Sequence, residues 1–528
     1  MPPVIIPLVA NTLILAGVPG LTALSTAIAA SSFIINVGTS LVLSIGLSAA
    51  ANALQRSSLS DKGSIGAGVN STDVRLNTRQ EVPAQRWVYG QVLVGGALFF
   101  EESDGTLYYQ GFMWSQGPIS SVVAVYNSQD EIYLGGSVPF DAILSPASNL
   151  AGGPPFVGNV RLSVRRGLSS QAIDPLLASK FPGLDPATFR QRGVATLVLE
   201  ASSGPTFAAF EQLWGTVRRP NPLALIRGVP VYDPRDPSQV LPTDPDDPDE
   251  LEAARLTWKW SNNASLVQAD YLWRLDGGRI PLASMCWDRI AKSADYDDEL
   301  IGTNSGELIR RHTIDGVVTA GQNPLPIIQS MLTANRGFVA RSQGKVWVQS
   351  SQPVDDPVVT ITDIDLRGGF EYRRAQPKRS VLNRVRCRFI DPRQEWTTVD
   401  GPVRDYPALR AVDGDLYEAT YDFMWTADHR RAQRLQKLAA DESRMGRTMS
   451  CAVGLELLGL EAGNVVRVDS VLTPYVSGVY RLTEVALAAG AAGLTLNMSE
   501  YDASIERSWN YLTDEQPFDL PELDTEPS

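Results

Sequence analysis

Residues 86–133 open with Arg86-Trp87-Val88-Tyr89-Gly90-Gln91-Val92-Leu93-Val94-Gly95-Gly96-Ala97-Leu98-Phe99-Phe100, turn through polar Glu101 to Gly105, and resume at Leu107-Tyr108-Tyr109-Gln110-Gly111-Phe112-Met113-Trp114. After Gly117-Pro118 come Ile119-Ser120-Ser121-Val122-Val123-Ala124-Val125-Tyr126, a turn at Asn127 to Asp130, and Glu131-Ile132-Tyr133. Short β-branched and aromatic runs punctuated by Gly, Asn and Asp predict consecutive antiparallel strands, since such side chains fit a pleated, half-buried surface. No residue of the stretch reads as a nucleophile, a metal ligand or a phosphate cradle.

Around this stretch, 528 residues are enough for two to four domains, each with its own core. A hydrophobic content of 44% with 20% charged residues belongs to an ordered globular chain. The formal net charge of −13 argues against a protein that wraps nucleic acid through phosphate contacts. Three scattered cysteines, Cys286, Cys387 and Cys451, make no disulfide framework and read as small core hydrophobes. With only His312 and His429 beside them, no structural zinc site is expected. Neither a catalytic residue, a metal nor a cofactor is read from the sequence.

Upstream, residues 1–55 carry no ionisable side chain, and both apolar runs, 1–16 and 21–54, predict an apolar helical segment. It lacks the basic n-region of a secretion signal. The second run exceeds the ~20 residues of a membrane span, yet Thr22, Ser25, Ser31, Ser32, Thr39, Ser40, Ser44 and Ser48 suit close helix packing. Three readings stay open: helices shielded inside an oligomer or by a partner, a transient membrane contact, or a permanent anchor. Residues 56–80 are polar and Gly/Ser-rich, a linker.

Downstream, 81–235 reads as a β-rich domain, with a helix or ordered excursion between Pro175 and Arg192. An acidic Pro/Asp loop follows at 236–255; it lacks the Gly and terminal Glu of a calcium-binding EF loop and reads as a solvated, extended excursion. Residues 256–352 predict a small α+β domain. Its parts are a helix from Ala264 to Leu275 capped by Asn262 or Asn263, a strand over Glu307 to Val318, and an amphipathic helix from Pro324 to Asn335. A hairpin over 338–348 completes it. His312 has no partner at an interpretable spacing and reads as structural.

Residues 353–510 predict a second β-rich domain with one long helix, and 511–528 an acidic tail, disordered or docked. In Val381 to Ile390, Val385, Cys387 and Phe389 alternate with Arg384, Arg386 and Arg388, whose side chains share one face about 6.8 Å apart. With Arg373, Arg374, Lys378 and Arg379 nearby, this is the most basic region of the chain. It reads as a salt-bridged sheet face, a subunit or partner contact, or a DNA contact. Thr426 is expected to cap a helix to about Met445, with Ala432, Leu435, Leu438 and Ala439 buried and Arg430, Arg431, Arg434 and Lys437 exposed. Arg373, Arg374, Arg384, Arg386, Arg388, Arg430 and Arg434 are the interface candidates.

The order of these parts resembles the tail tip proteins of siphophages, the lambda-like tail protein J family, and its gene-transfer-agent relatives. The resemblance spans roughly 80–510. It rests on Tyr89 to Gly96 with Gly117-Pro118-Ile119, on Tyr232-Asp233-Pro234-Arg235 before an acidic insert, and on Trp260-Ser261 followed by Asp270-Tyr271-Leu272. Asn383 to Phe389, Asp413-Gly414, Ala432 to Leu435, Glu461 to Val466 and Glu500-Tyr501-Asp502 complete it, with Asn464 where the family has Asp. The resemblance implies a mainly β, multidomain tail-hub architecture with α+β insertions.

It further implies a trimeric ring joining the tail tube to the distal tip around the tape measure protein and DNA, without specific DNA binding. Its partners would be the distal tail protein, the tape measure protein and other tail tip proteins. Because the family's downstream receptor-binding domains do not follow, a separate receptor-binding protein is expected. The chain is expected in the virion tail tip, and in the host cytoplasm during assembly. Two rivals are a membrane-anchored β-rich adhesin and a tail-associated glycan or peptidoglycan hydrolase. The hydrolase would need paired carboxylates, whereas Asp297, Asp298 and Glu299 are adjacent on the chain and point apart.

Overall fold

A computed structural model describes residues 40–44, 74–80, 83–127, 130–133, 138–145, 156–204, 206–214, 220–487 and 493–518. The protein is mainly β with interspersed helices, in several sheets.

Gly90 divides the opening stretch in two. Arg86–Tyr89 pairs antiparallel with Gly316–Thr319, whereas Gln91–Val94 pairs with Pro222–Arg227 in a four-stranded sheet. The bend between them takes φ +65° at Gly90, where a Cβ would lie 2.3 Å from the Ile314 carbonyl oxygen. Only glycine fits there. The strand before the bend lies between two cores, its alternate side chains entering one and the other. Trp87 and Tyr89 point into the α+β core with Tyr271, Trp273 and Met331, while Val88, Val92 and Val94 point into the β core with Trp114, Ile119 and Leu162. Tyr89 Oη donates to Asp270 at 2.7 Å, and Arg274 lies over the Trp87 ring at 4.7 Å, fastening this strand to the helix Ala264–Trp273.

The β core lies between the four-stranded sheet and a five-stranded one ordered Ala97–Ser103, Leu107–Gln116, Val194–Ser202, Val160–Arg165, Ile143–Leu144. The helix Ala264–Trp273 starts at Asn263, whose side chain accepts from Leu266 N, and the helix Pro324–Leu332 buries Ile327, Ile328, Met331 and Leu332 as expected. The hairpin Phe338–Ser342 with Lys345–Gln349 also forms. The expected strand over 307–318 forms as two, Leu308–Arg310 and Gly316–Thr319, separated by a buried segment around His312.

The Pro/Asp stretch is not wholly extended. Asp247 caps the helix Pro248–Thr257 by accepting from Asp249 N and Glu250 N, with Pro248 starting the first turn. The acidic residues complement that helix N-terminus, which offsets their mutual repulsion. The long helix is His429–Glu442, capped by Asp428 and not Thr426: the Asp428 side chain accepts from Arg430 N at 2.8 Å.

The predicted helix over 1–55 lies outside the described residues except for Ser40–Ser44, which form a strand. That strand pairs with Phe338–Arg341 and with Glu484–Val485, so open sheet edges override helical propensity there. No helix among the described residues is long and apolar enough to cross a membrane. At the other end, Tyr511–Asp514 is a short helix, and Phe518 packs edge-on against Phe389, so the start of the acidic tail is docked.

Candidate functional site

The strand Arg384–Asp391 buries Val385, Cys387 and Phe389 and turns Arg384, Arg386 and Arg388 outward, as its alternation predicts. Its parallel neighbour Glu418–Phe423 sets Glu418 opposite Arg384 and Asp422 opposite Arg388, while antiparallel pairing brings Asp405 to Arg384 and Asp400 to Arg388. Arg388 makes a two-point bridge to Asp422 at 2.6 and 2.7 Å, and Arg386 Nε donates to Glu418 at 2.9 Å. The guanidinium row is thus zipped to carboxylates of its own sheet. Arg373 and Arg374 are exposed at the end of the strand Leu366–Arg373, away from this zip.

The expectation of an exposed arginine face on the helix His429–Glu442 is corrected by the structure, because a second layer covers that face too. Arg430 bridges Asp428 and Glu307, both at 2.7 Å. Gln436 is buried, its Nε2 donating to the carbonyls of Val385 and Pro402, and Gln433 donates to the carbonyl of Gln516. Arg434 is only 2% exposed.

The Arg434 guanidinium borders a crevice of about 540 Å³ between the long helix, the hairpin Leu300–Arg310 and the segment 506–511. Its Nη2 donates to the Arg311 carbonyl at 3.1 Å, and its buried Nε has no acceptor. Among the described residues it forms no ion pair. Burial, with Arg311 adding to it, pushes its pKa down to about 9. The other charges around the crevice are matched: Glu299 by Arg311, Glu506 by Arg336, Arg507 by Asp355.

Behind the crevice, His312 is buried and its Nδ1 lies 2.8 Å from Asp297 Oδ1. Burial first, then Arg434 and Arg311, hold the imidazole well below its usual pKa. Asp297 also takes the hydroxyls of Ser265 and Ser350, each at 2.5 Å, and the Ser265 N–H at 2.9 Å. A hydrolytic triad needs a serine on the imidazole nitrogen remote from the carboxylate. Here both serines bind the carboxylate itself, in the interior. The cluster ties helix Trp287–Asp298 to the helix Ala264–Trp273 and to Ser350. Asp298 and Glu299 turn outward to Arg235 and Arg311. Sequence reasoning missed the Asp297 pairing, since fifteen residues and a strand pair separate it from His312.

Residues 324–485 match the family described as "Putative phage tail protein". The likeness is to phage tail proteins. Among solved structures, a chain of the virion of a native gene transfer agent particle is 15% identical. It aligns over 85% of this chain and 90% of its own, with a TM-score of 0.55. At that identity the likeness is one of fold. The 43 kDa tail protein of prophage MuSo2 from Shewanella oneidensis aligns over 80% of this chain and 95% of its own, at 8% identity and a TM-score of 0.28. The prophage tail protein gp18 from Listeria monocytogenes EGD-e aligns over 79% and 97%, at 7% identity and a TM-score of 0.24. No curated protein matches the sequence.

Proposed function

We propose that this chain is a structural tail protein of a phage-like particle, the hub at the distal end of the tail. The observation that carries the reading is the fold shared with a gene transfer agent virion chain over nearly its whole length, in which lies a segment matching a phage tail family. The hub is a homotrimeric ring, closed cyclic symmetry being the simplest way to surround a channel. It joins the tube, through the distal tail protein, to other tail tip proteins and encloses the tape measure protein and the DNA path. The DNA passes without specific binding, which the net charge of −13 and the zipped Arg384–Arg388 row favour. The chain resides in the virion tail after assembly in the host cytoplasm, and it catalyses no reaction. Residues 1–55 are shielded within the tail, with host-membrane contact a later step.

Antibody against the chain should label one end of isolated tails by electron microscopy, and native mass measurement of the hub should give three copies. Label spread along the tube, or glycan turnover abolished by a single acidic substitution, would defeat the reading.

A further inference from the structure

Arg434 is buried without an ion pair among the described residues. A fully desolvated guanidinium is costly unless a carboxylate answers it, and the carboxylates within reach are committed elsewhere. Glu506 spends one oxygen on Arg336 at 2.7 Å and the other on the Ser351 hydroxyl at 2.7 Å. Glu299 takes two donors from Arg311. The Arg434 side chain borders the crevice, while its Nε is sealed from solvent and has no acceptor.

The surroundings choose among anions. Tyr296, Trp509 and Tyr511 line the crevice beside Arg311, Arg507, Glu299 and Glu506, whose charges are matched, so Arg434 is the lining cation without an ion pair. The hairpin beside it extends the apolar surface. A Cβ on Gly302 would meet the Tyr511 ring at 2.8 Å, so Tyr511 packs on the hairpin face that Gly302 shares with Leu308, directly opposite, and Leu300. Leu300 and Leu308 are 61% and 62% exposed. A nucleic-acid strand fits poorly, because its closely spaced phosphates would meet half-exposed Glu299 and an acidic chain. A single carboxylate with apolar neighbours meets both the cation and the rim, and a planar guanidinium can bind it through two parallel hydrogen bonds.

We propose that the Arg434 crevice binds a glutamate or aspartate side chain, flanked by apolar residues, from a neighbouring protein segment. This goes beyond the tail reading and does not depend on it. The crevice can bind such a segment whatever particle the chain serves, and particle labelling cannot decide it.

The test is calorimetric titration of the full chain with a capped leucine–glutamate–leucine peptide and with its glutamine counterpart. Inorganic phosphate and a ten-nucleotide oligothymidylate are titrated in parallel. The glutamate peptide should bind at least tenfold more tightly than the glutamine one. Arg434→Met should erase that preference with Tm nearly kept, because removing a buried charge offsets the lost bond to the Arg311 carbonyl and the volume is kept. A merely structural arginine would instead lower Tm. The wild-type comparison alone decides if the variant fails to fold. Equal affinity for the two peptides, or a preference that survives Arg434→Met, would overturn the proposal. So would phosphate or oligonucleotide binding more tightly than the peptide and depending on Arg434. Tighter peptide binding after removal of residues 519–528, which hold Asp519, Glu522, Asp524 and Glu526, would assign the crevice to the chain's own acidic end.

Discussion

Asp297 and His312 form a buried pair whose partners respond to pH with opposite sign. Burial raises the Asp297 carboxyl to about 6, above the ordinary 3.8, and lowers the His312 imidazole well below 6.5. As pH falls through 6, the folded chain takes a proton on Asp297 that the unfolded chain does not, so this group adds stability down to about pH 4. His312 works the other way: the unfolded imidazole gains a proton near 6.5 and the folded one does not, so stability is lost. The two contributions offset over that window. Asp297→Asn leaves only the histidine contribution. Measured by denaturant midpoint, the variant should therefore lose stability relative to the parent between pH 6 and 4, at up to about 1.4 kcal/mol per pH unit. A difference between the two that does not change with pH would show that Asp297 titrates normally.

At the scale of single elements, the strand Arg384–Asp391 and the helix His429–Glu442 show what a local pattern can and cannot carry. Alternation alone picked out the buried face of the strand, and periodicity alone picked out Ala432, Leu435 and Ala439 on the helix, because both are set by backbone geometry within a few residues. The hairpin at 338–349 and the helix at 324–332 were legible for the same reason. What answers the arginines was not legible. Glu418 and Asp422 arrive through a parallel pairing some thirty residues away, and the segment 506–511, which shares a crevice with Arg434, lies about seventy residues downstream. A helix face of three arginines and a lysine reads as solvated until a second layer is known to lie on it. The strand's in-chain pairing makes its own prediction. Arg388→Glu should cost roughly 1–2 kcal/mol, the loss of an exposed two-point pair plus a like charge directly opposite. Combining it with Asp422→Arg should recover most of that in a chemical denaturation series. If the row instead serves a partner, the swapped pair would restore stability while tail assembly still fails.

For the whole molecule, the apolar surface left open is as informative as the charges. The parallel strands Thr360–Thr362 and Val465–Asp469 branch from a nine-stranded sheet that also holds Phe338–Ser342 and Lys345–Gln349, and the loops that follow them sit side by side. Asp363 holds the loops together by accepting from Val471 N at 2.8 Å and Leu472 N at 3.1 Å. That clasp presents Ile364, Val471 and Leu472 outward, 83%, 84% and 81% exposed. Covering a large aliphatic side chain contributes about 1.5–3 kcal/mol, so three together favour a contact. In a trimeric hub the natural cover is the adjacent subunit, within an interface of more than ~2,000 Å² as obligate assemblies have. Leu472→Asp separates folding from assembly. Because the side chain is solvated in the isolated chain, the variant's unfolding free energy should stay within about 0.5 kcal/mol of the parent. A carboxylate in the contact would be desolvated without a partner, so native mass measurement should show the three-copy species replaced by single copies. Three copies at undiminished yield would mean that this end of the sheet faces solvent in the particle, and that the proposed ring closes through another surface.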